Sequence, residues 1–353
     1  MFPIRIRMAC ATSTLCPRQA DDFRSSILSC RCFTLSSLNP EIQTWIEQLR
    51  AGDARALARA ISVVENHSRG WSELLKAAFP YSGRARILGL TGPPGAGKST
   101  LVDQLARYYR KDGLSIGIIA VDPTSPYTGG ALLGDRIRMQ EHSSDAGIYI
   151  RSMATRGSLG GLARTTADVS TILGASGRDL IMIETVGVGQ DEVDIVRLAN
   201  ITVVILVPGM GDDVQSIKAG IMEIADIFVI NKSDREGAER VEREIRALQS
   251  LAVRGDNWTP PIVKTVATDG TGIPELAAAI RDYQTHLQRE NLLLKRNIQN
   301  WQARLVEMLR DAMLEKARDQ LGEGEMAQYA AEVAEHKRDP YTLVEEIVQG
   351  RRH

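Results

Sequence analysis

Cysteine is missing from most of this chain: Cys10, Cys16, Cys30 and Cys32 all fall in the first 32 residues, and the remaining 321 residues have none. The body of the protein therefore has no disulfide framework and no thiolate metal site. Cys30 and Cys32 suggest a metal clip, but Cys10 and Cys16 make no second close pair and no histidine precedes His67. Histidine is nearly as scarce, with His67, His142, His286, His336 and His353 spread widely. Neither sign of charge dominates: 43 Lys and Arg against 44 Asp and Glu leave a formal net charge of -1. That balance lacks the basic footprint of a nucleic-acid binder, so no nucleic-acid partner is expected. No apolar run reaches the roughly 18 residues that a membrane-spanning helix needs, so no membrane role is expected either.

What is present is an ordinary core composition, 43% hydrophobic over 353 residues, enough for one large domain and an appendage. Residues 1–38 differ from the rest: rich in Ser, Arg and Cys, poor in acids and without a helical or strand period. Three readings compete there. They are a disordered tail, an upstream start-site artefact with Met8 or a later codon as the true start, and an organelle transit peptide, against which Asp21 and Asp22 count. The expected location is cytoplasmic, or the mitochondrial matrix if residues 1–38 are a transit peptide. In 39–85, Ile42, Trp45, Ile46, Leu49, Leu57, Ala60, Ile61 and Val64 recur at helical intervals and predict two short helices on the flank of the domain formed by the next 200 or so residues.

Residues 86–288 alternate apolar runs with amphipathic stretches, the signature of an α/β fold with a doubly wound, mainly parallel sheet. The predicted strands are 87–91, 115–121, 147–153, 179–184, 201–207, 226–231 and 262–267. From 289 to 353 glycine is scarce, and Leu292, Leu293, Ile298, Trp301, Leu305, Met308, Leu309 and Met313 keep a 3-to-4 spacing. This predicts a long amphipathic helix and another over 325–337. So much apolar face outside the sheet points to a helical dimerisation arm and a homodimer, with folding back as the alternative.

Gly92-Pro93-Pro94-Gly95-Ala96-Gly97-Lys98-Ser99, followed by Thr100, fits the phosphate-loop pattern G-x-x-x-x-G-K-[ST] between an apolar strand and a helix. Such a loop closes backbone N–H groups around phosphates at a helix N-terminus; Lys98 reaches the outer phosphates and the Ser99 hydroxyl can ligate Mg2+. Downstream, Asn231-Lys232-Ser233-Asp234 follows the apolar run 227–230 and matches N-K-x-D. The Asp234 carboxylate can accept from guanine N1–H and the exocyclic amine, whereas adenine has no proton at N1. A site built around such bonds discriminates by about 10⁴-fold, so GTP and GDP are the expected ligands. Val266-Ala267-Thr268, after the next predicted strand, lies where GTPases place a backbone amide against the guanine oxygen.

Between these motifs, strand 179–184 delivers Glu184-Thr185-Val186-Gly187, in which Gly187 lets the backbone approach the terminal phosphate. Asp122, at the end of strand 115–121, and Asp135 add two carboxylates from loops facing the same cleft, though each also suits a cap or turn. With Ser99 and Glu184 they make a candidate magnesium site. Val188 stands after Gly187, where small signalling GTPases carry a water-orienting glutamine. The expected consequence is slow hydrolysis by the isolated protein, accelerated by a partner.

With these motifs joined by Val121-Asp122-Pro123-Thr124-Ser125, Thr128-Gly129-Gly130, Leu133-Gly134-Asp135-Arg136-Ile137-Arg138-Met139 and Val188-Gly189-Gln190, residues 40–345 closely resemble the MeaB/ArgK family of GTPases associated with methylmalonyl-CoA mutase. The resemblance implies a homodimeric phosphate-loop GTPase that acts as chaperone of an adenosylcobalamin-dependent acyl-CoA mutase, gating cofactor loading and protecting the mutase from inactivation. It places magnesium-binding and catalytic carboxylates on Asp122, Asp135 and Glu184, beside Lys98 and Ser99. The family's additional switch resembles 208–218, where Gln215 and Lys218 are candidates to reach the nucleotide when the mutase docks. Two other activities stand as alternatives: an ATP-using kinase of lysine, arginine and ornithine transport, and metal insertion, which the sparse Cys and His disfavour. A scaffold that scarcely hydrolyses GTP is a third reading.

Overall fold

Strands buried on both faces need near-continuous apolar sequence, and this chain supplies it repeatedly. The structure, a computed structural model, describes residues 39–122, 145–154, 161–185, 198–209, 224–251, 254–322 and 324–349. Among them β1 (Arg86–Thr91), β2 (Ile116–Asp122), β3 (Ile148–Ala154), β4 (Leu180–Glu184), β5 (Ile201–Leu206), β6 (Ile227–Asn231) and β7 (Ile262–Thr265) form one sheet. Every residue of β4, β5 and β6 is buried. All pairings are parallel, in the order β3-β2-β4-β1-β5-β6-β7. β1 thus lies inside the sheet, with Leu90 in register with both Glu184 and Val203. The chain winds outward from β1 in both directions, so the carboxyl end of β1 is the switch point at which such sheets bind ligands.

Helices cover both faces. On one, α4 (Lys98–Lys111) and, later in the chain, a helix over Ile273–Arg289 bury Leu101, Leu105, Leu276 and Ile280 against Leu88, Leu90, Ile118 and Ile205. On the other, α1 (Pro40–Arg50), α2 (Ala54–Glu65), α3 (Trp71–Ala78) and α5 (Gly161–Ala175) close over Ile119, Val121, Ile181 and Ile183. The sequence predicts two helices before the sheet, and the described residues hold three: α3 is 8 residues long, too short for its period to stand out, and starts after Gly70 at φ +85°. α6 (Ala238–Leu251) covers Phe228 and Ile230, and the helix over Ile273–Arg289 is α7.

Three helices follow among the described residues: α8 (Leu292–Gln320), α9 (Glu325–Ala334) and α10 (Pro340–Gln349). The last is one more than expected; its start was written in Asp339-Pro340, with Asp339 Oδ1 accepting from the Tyr341 and Thr342 amides at 3.1 and 2.9 Å, an N-cap. Over its 29 residues α8 buries none. It meets the core through polar groups: Arg296 with Asp226 at 2.9 Å, Arg304 with Asp168 at 2.6 Å, and Asp311 with Arg164 at 3.3 Å. Leu292 packs on the core and Trp301 on Phe79, but further along the helix the apolar side chains face away, with Leu305, Leu309 and Met313 exposed at 57%, 61% and 56%. The helix is amphipathic, as its spacing predicts, but its apolar stripe is the outer one.

Asp226 holds the first turns of α8. Its carboxylate, fully enclosed, accepts from the Thr202 amide at 2.9 Å, from Arg254 at 3.1 Å and from Arg296. Tyr283, which also receives a bond from Arg296, has its phenol pushed upward by burial and then by the charge of Asp226. Asp226→Ala leaves two half-buried guanidinium groups without this carboxylate, and we expect a loss of about 3 kcal/mol in urea denaturation. An unchanged midpoint and slope would show that the cluster does not hold the fold.

Candidate functional site

The turn after β1 is shaped by residues that cannot carry a side chain. Gly92 has φ +149°, and a Cβ there would lie 2.1 Å from the Ile205 carbonyl oxygen of β5. Gly97 has φ +85° and stands as N-cap of α4; a Cβ there would lie 2.5 Å from Asn231 Nδ2. These constraints bend the chain tightly from strand to helix, so that the free amides of the α4 N-terminus sit at the carboxyl end of β1.

Lys98, the first residue of α4, is buried, and its ammonium donates to the carbonyls of Gly92 at 2.8 Å and Pro93 at 3.0 Å. The loop is thus closed on its own lysine. Ser99 donates its hydroxyl to Glu184 Oε1 at 2.6 Å, joining the α4 N-terminus to the end of β4. Glu184 is buried. The residue after it extends the pairing: the Thr185 amide donates to the Leu90 carbonyl at 3.0 Å, and its hydroxyl donates to Thr91 Oγ1 at 2.9 Å. Thr91 and Thr185 had no assigned role in the sequence; a threonine immediately before a glycine-rich loop, and another immediately after a strand-end acid, were the available signals.

Asn231, at the end of β6, is the junction of the site. Its Nδ2 donates to the Ala96 carbonyl at 2.8 Å, while its Oδ1 accepts from Thr265 Oγ1 and from the Ala267 amide, both at 3.1 Å. One buried side-chain amide therefore ties the phosphate loop to the turns after β6 and β7. Lys232, at φ +55°, stretches over the loop and donates to the Gly95 carbonyl at 2.8 Å. Asp234 is exposed beyond it. The 266–268 expectation narrows: the Ala267 amide is engaged by Asn231, and Val266 donates to the Thr271 carbonyl at 3.1 Å. Among the described residues the Thr268 amide has no such acceptor, which leaves it as the candidate to meet a base oxygen.

The structure therefore gathers residues 92–100, Glu184, Asn231, Lys232, Asp234 and 266–268 at one edge of the sheet. Asp122 ends β2, in register with Ala154, but its side chain lies outside the described ones. Asp135, Gly187, Gln215 and Lys218 lie outside the described residues altogether. A turn of backbone amides at a helix N-terminus, a lysine, and a hydroxyl joined to a carboxylate can bind the phosphates of a nucleotide with a hard cation beside them.

Comparison with known proteins agrees with this geometry. The family described as methylmalonyl Co-A mutase-associated GTPase MeaB matches residues 57–321. A Pyrococcus abyssi protein whose own assignment as a GTPase is provisional is 49% identical over 316 residues, 88% of this chain and 98% of that one. GTPase ArgK of Escherichia coli K12 is 38% identical over 250 residues, covering 69% and 76% of the two chains. The mouse mitochondrial methylmalonic aciduria type A homolog is 40% identical over 227 residues, 62% of this chain and 55% of its own length. Among solved structures, a LAO/AO transport system kinase superposes with a TM-score of 0.66 at 26% identity, over 88% of this chain and 98% of that one.

Gly97→Ala puts a methyl group against an amide that is already bonded to Ala96 and forces alanine into a left-handed backbone. We expect GDP affinity, measured by titration calorimetry, to fall about a hundredfold, or ~2.7 kcal/mol. Wild-type affinity would mean that Asn231 yields freely.

Proposed function

Because the chain belongs to the MeaB family of methylmalonyl-CoA mutase-associated GTPases, we propose that its GTP cycle serves an adenosylcobalamin-dependent acyl-CoA mutase of the methylmalonyl-CoA type. The protein is a phosphate-loop GTPase, hydrolysing GTP to GDP and phosphate. As the mutase's chaperone it gates loading of the cofactor and protects the mutase from inactivation. The observation that carries the nucleotide reading is the Asn231 junction, which couples the phosphate loop to the N-K-x-D turn with Asp234 beyond it.

In this reading Lys98 exchanges the Gly92 and Pro93 carbonyls for the outer phosphate oxygens, and the amides of the loop and the α4 N-terminus take up the charge that develops as the terminal phosphoryl group leaves GDP for water. Asp234 accepts from the guanine ring and its amine, and Thr268 donates to the guanine oxygen. The Ser99 hydroxyl and the Glu184 carboxylate, 2.6 Å apart, are the hard oxygen donors that Mg2+ takes, and so fit the ion. These two residues would hold Mg2+, which would supply positive charge to the phosphates. The family resemblance would add Asp122 and Asp135 beside the ion, Gly187 at the terminal phosphate, and Gln215 and Lys218 at the nucleotide once the mutase has docked. The alternative of an ATP-using transport kinase, which the name of the structural relative, a LAO/AO transport system kinase, brings back, is disfavoured because adenine offers Asp234 no N1 proton.

The assembly is a homodimer built on the outer face of α8, where Leu305, Leu309 and Met313 lie exposed. Leu305→Glu combined with Leu309→Glu should halve the mass measured by light scattering; an unchanged mass would place the dimer elsewhere or remove it.

The central test is GTP hydrolysis with and without a cobalamin-dependent mutase from the same source, with ATP as control. We expect slow turnover alone and at least about tenfold stimulation specific to GTP, or ~1.4 kcal/mol off the barrier. Tight GTP binding without stimulation would refute the chaperone role and leave the GTPase standing.

A further inference from the structure

Glu184 stands on the last rung of β4 on both sides, paired with Leu90 of β1 and with Ala120 of β2. Side chains alternate along a strand, and here Leu180 and Met182 join the cluster under α4 while Ile181 and Ile183 join the one under α5. The same alternation sends Glu184 to Ser99 of α4, and it sends Thr185 to the opposite face. There the Thr185 hydroxyl donates to Thr91 Oγ1 at 2.9 Å. Thr91 is in step with it, because Leu88 and Leu90 lie on the α4 side.

These bonds close a ring around the strand end. From Thr91 the chain passes through Gly92, whose carbonyl accepts from Lys98, to Ser99; Ser99 donates to Glu184, and the following residue returns to Thr91. The Thr185 amide adds a second tie, to the Leu90 carbonyl at 3.0 Å. With Thr91 and Thr185 exposed at 0% and 1%, bulk water does not compete for the hydroxyl bond. A threonine pair across neighbouring strands can be a packing device and nothing more. This one lies behind a carboxylate that has no further rung to hold it, so the place of Glu184 depends on how firmly residue 185 is fastened.

We infer that Thr185 is a positioning residue: through its bond to Thr91 it holds Glu184 where the carboxylate and the Ser99 hydroxyl take one divalent cation together. This role rests on the magnesium site proposed for Ser99 and Glu184. It acts on the cation and not on the phosphates, because the loop and Lys98 have their own anchors in Asn231 and in the Gly92 and Pro93 carbonyls. Groups behind a metal ligand set its affinity by fixing its orientation.

The probe is Mn2+, a paramagnetic substitute for Mg2+, titrated into the GDP complex of the full-length protein and followed by electron paramagnetic resonance. Thr185→Val keeps the shape of the side chain and the amide bond and removes the hydroxyl. We expect it to weaken Mn2+ about tenfold, with Thr185→Ser restoring the affinity and with GDP binding in EDTA, read by calorimetry, unchanged. Thr91→Val combined with Thr185→Val should weaken Mn2+ no further than the larger single loss, as two ends of one bond require. Wild-type Mn2+ affinity in Thr185→Val, or an equal loss of GDP affinity in EDTA, would overturn the positioning role and leave the magnesium reading standing. Failure of Thr185→Ser to restore binding, or additive losses in the double variant, would overturn it too. A wild-type GDP complex that takes up no Mn2+ would remove the magnesium reading itself, and this role with it.

Discussion

One buried amide sets the terms for the nucleotide edge of this protein. Asn231 occupies the place where a side chain at residue 97 would go and fastens Ala96 from the β6 side. The phosphate loop is therefore held before any ligand arrives, and the glycine at its end answers to a neighbour as well as to a phosphate. The same amide fixes the Ala267 turn, so the places for phosphate and base are positioned by a single rigid group. Preorganisation of this kind lets binding energy go to the ligand rather than to ordering loops.

The two edges of the sheet do different work. At the carboxyl ends, glycine, lysine and Asn231 make an anion-binding turn. At the amino ends, Asp226 and Asp168 receive Arg296 and Arg304 and moor α8 to the core. β1 touches both regions, with Thr91 bonded to Thr185 at one end and the Ile87 amide bonded to Asn200 at the other. Strands so fully buried deform little, which makes the sheet a stiff frame between them.

The strands were legible in the sequence because runs such as Val203–Leu206 and Ile227–Ile230 are apolar throughout, and parallel sheets buried on both faces require nearly that. Lys98, Ser99, Asn231 and Asp234 were legible because their chemistry fixes their spacing. Less visible were contacts whose partners lie far apart in the chain. Nothing in the local pattern couples Asp226 to Arg296, 70 residues on, or Thr91 to Thr185, 94 residues on. The periodicity of α8 announced an apolar stripe but not its direction. That depends on which face finds charged partners, and Asp168, Asp226 and Arg164 decide it from elsewhere in the fold.

The inverted arrangement of α8 makes the helix answer in two opposite senses to the composition of the solvent. Its inner face is held by ion pairs, of which the most open, Arg164 with Asp311, is screened by dissolved salt over a Debye length of about 8 Å at physiological strength, and the enclosed Asp226 and Asp168 pairs much less. Its outer face is apolar, and salts excluded from protein surfaces drive such a face toward burial. Rising concentrations of a salt such as sulfate therefore weaken the open Arg164–Asp311 pairing while strengthening the attraction of the apolar face to whatever covers it from outside. The balance between belonging to one body and joining another is written along the two sides of a single helix.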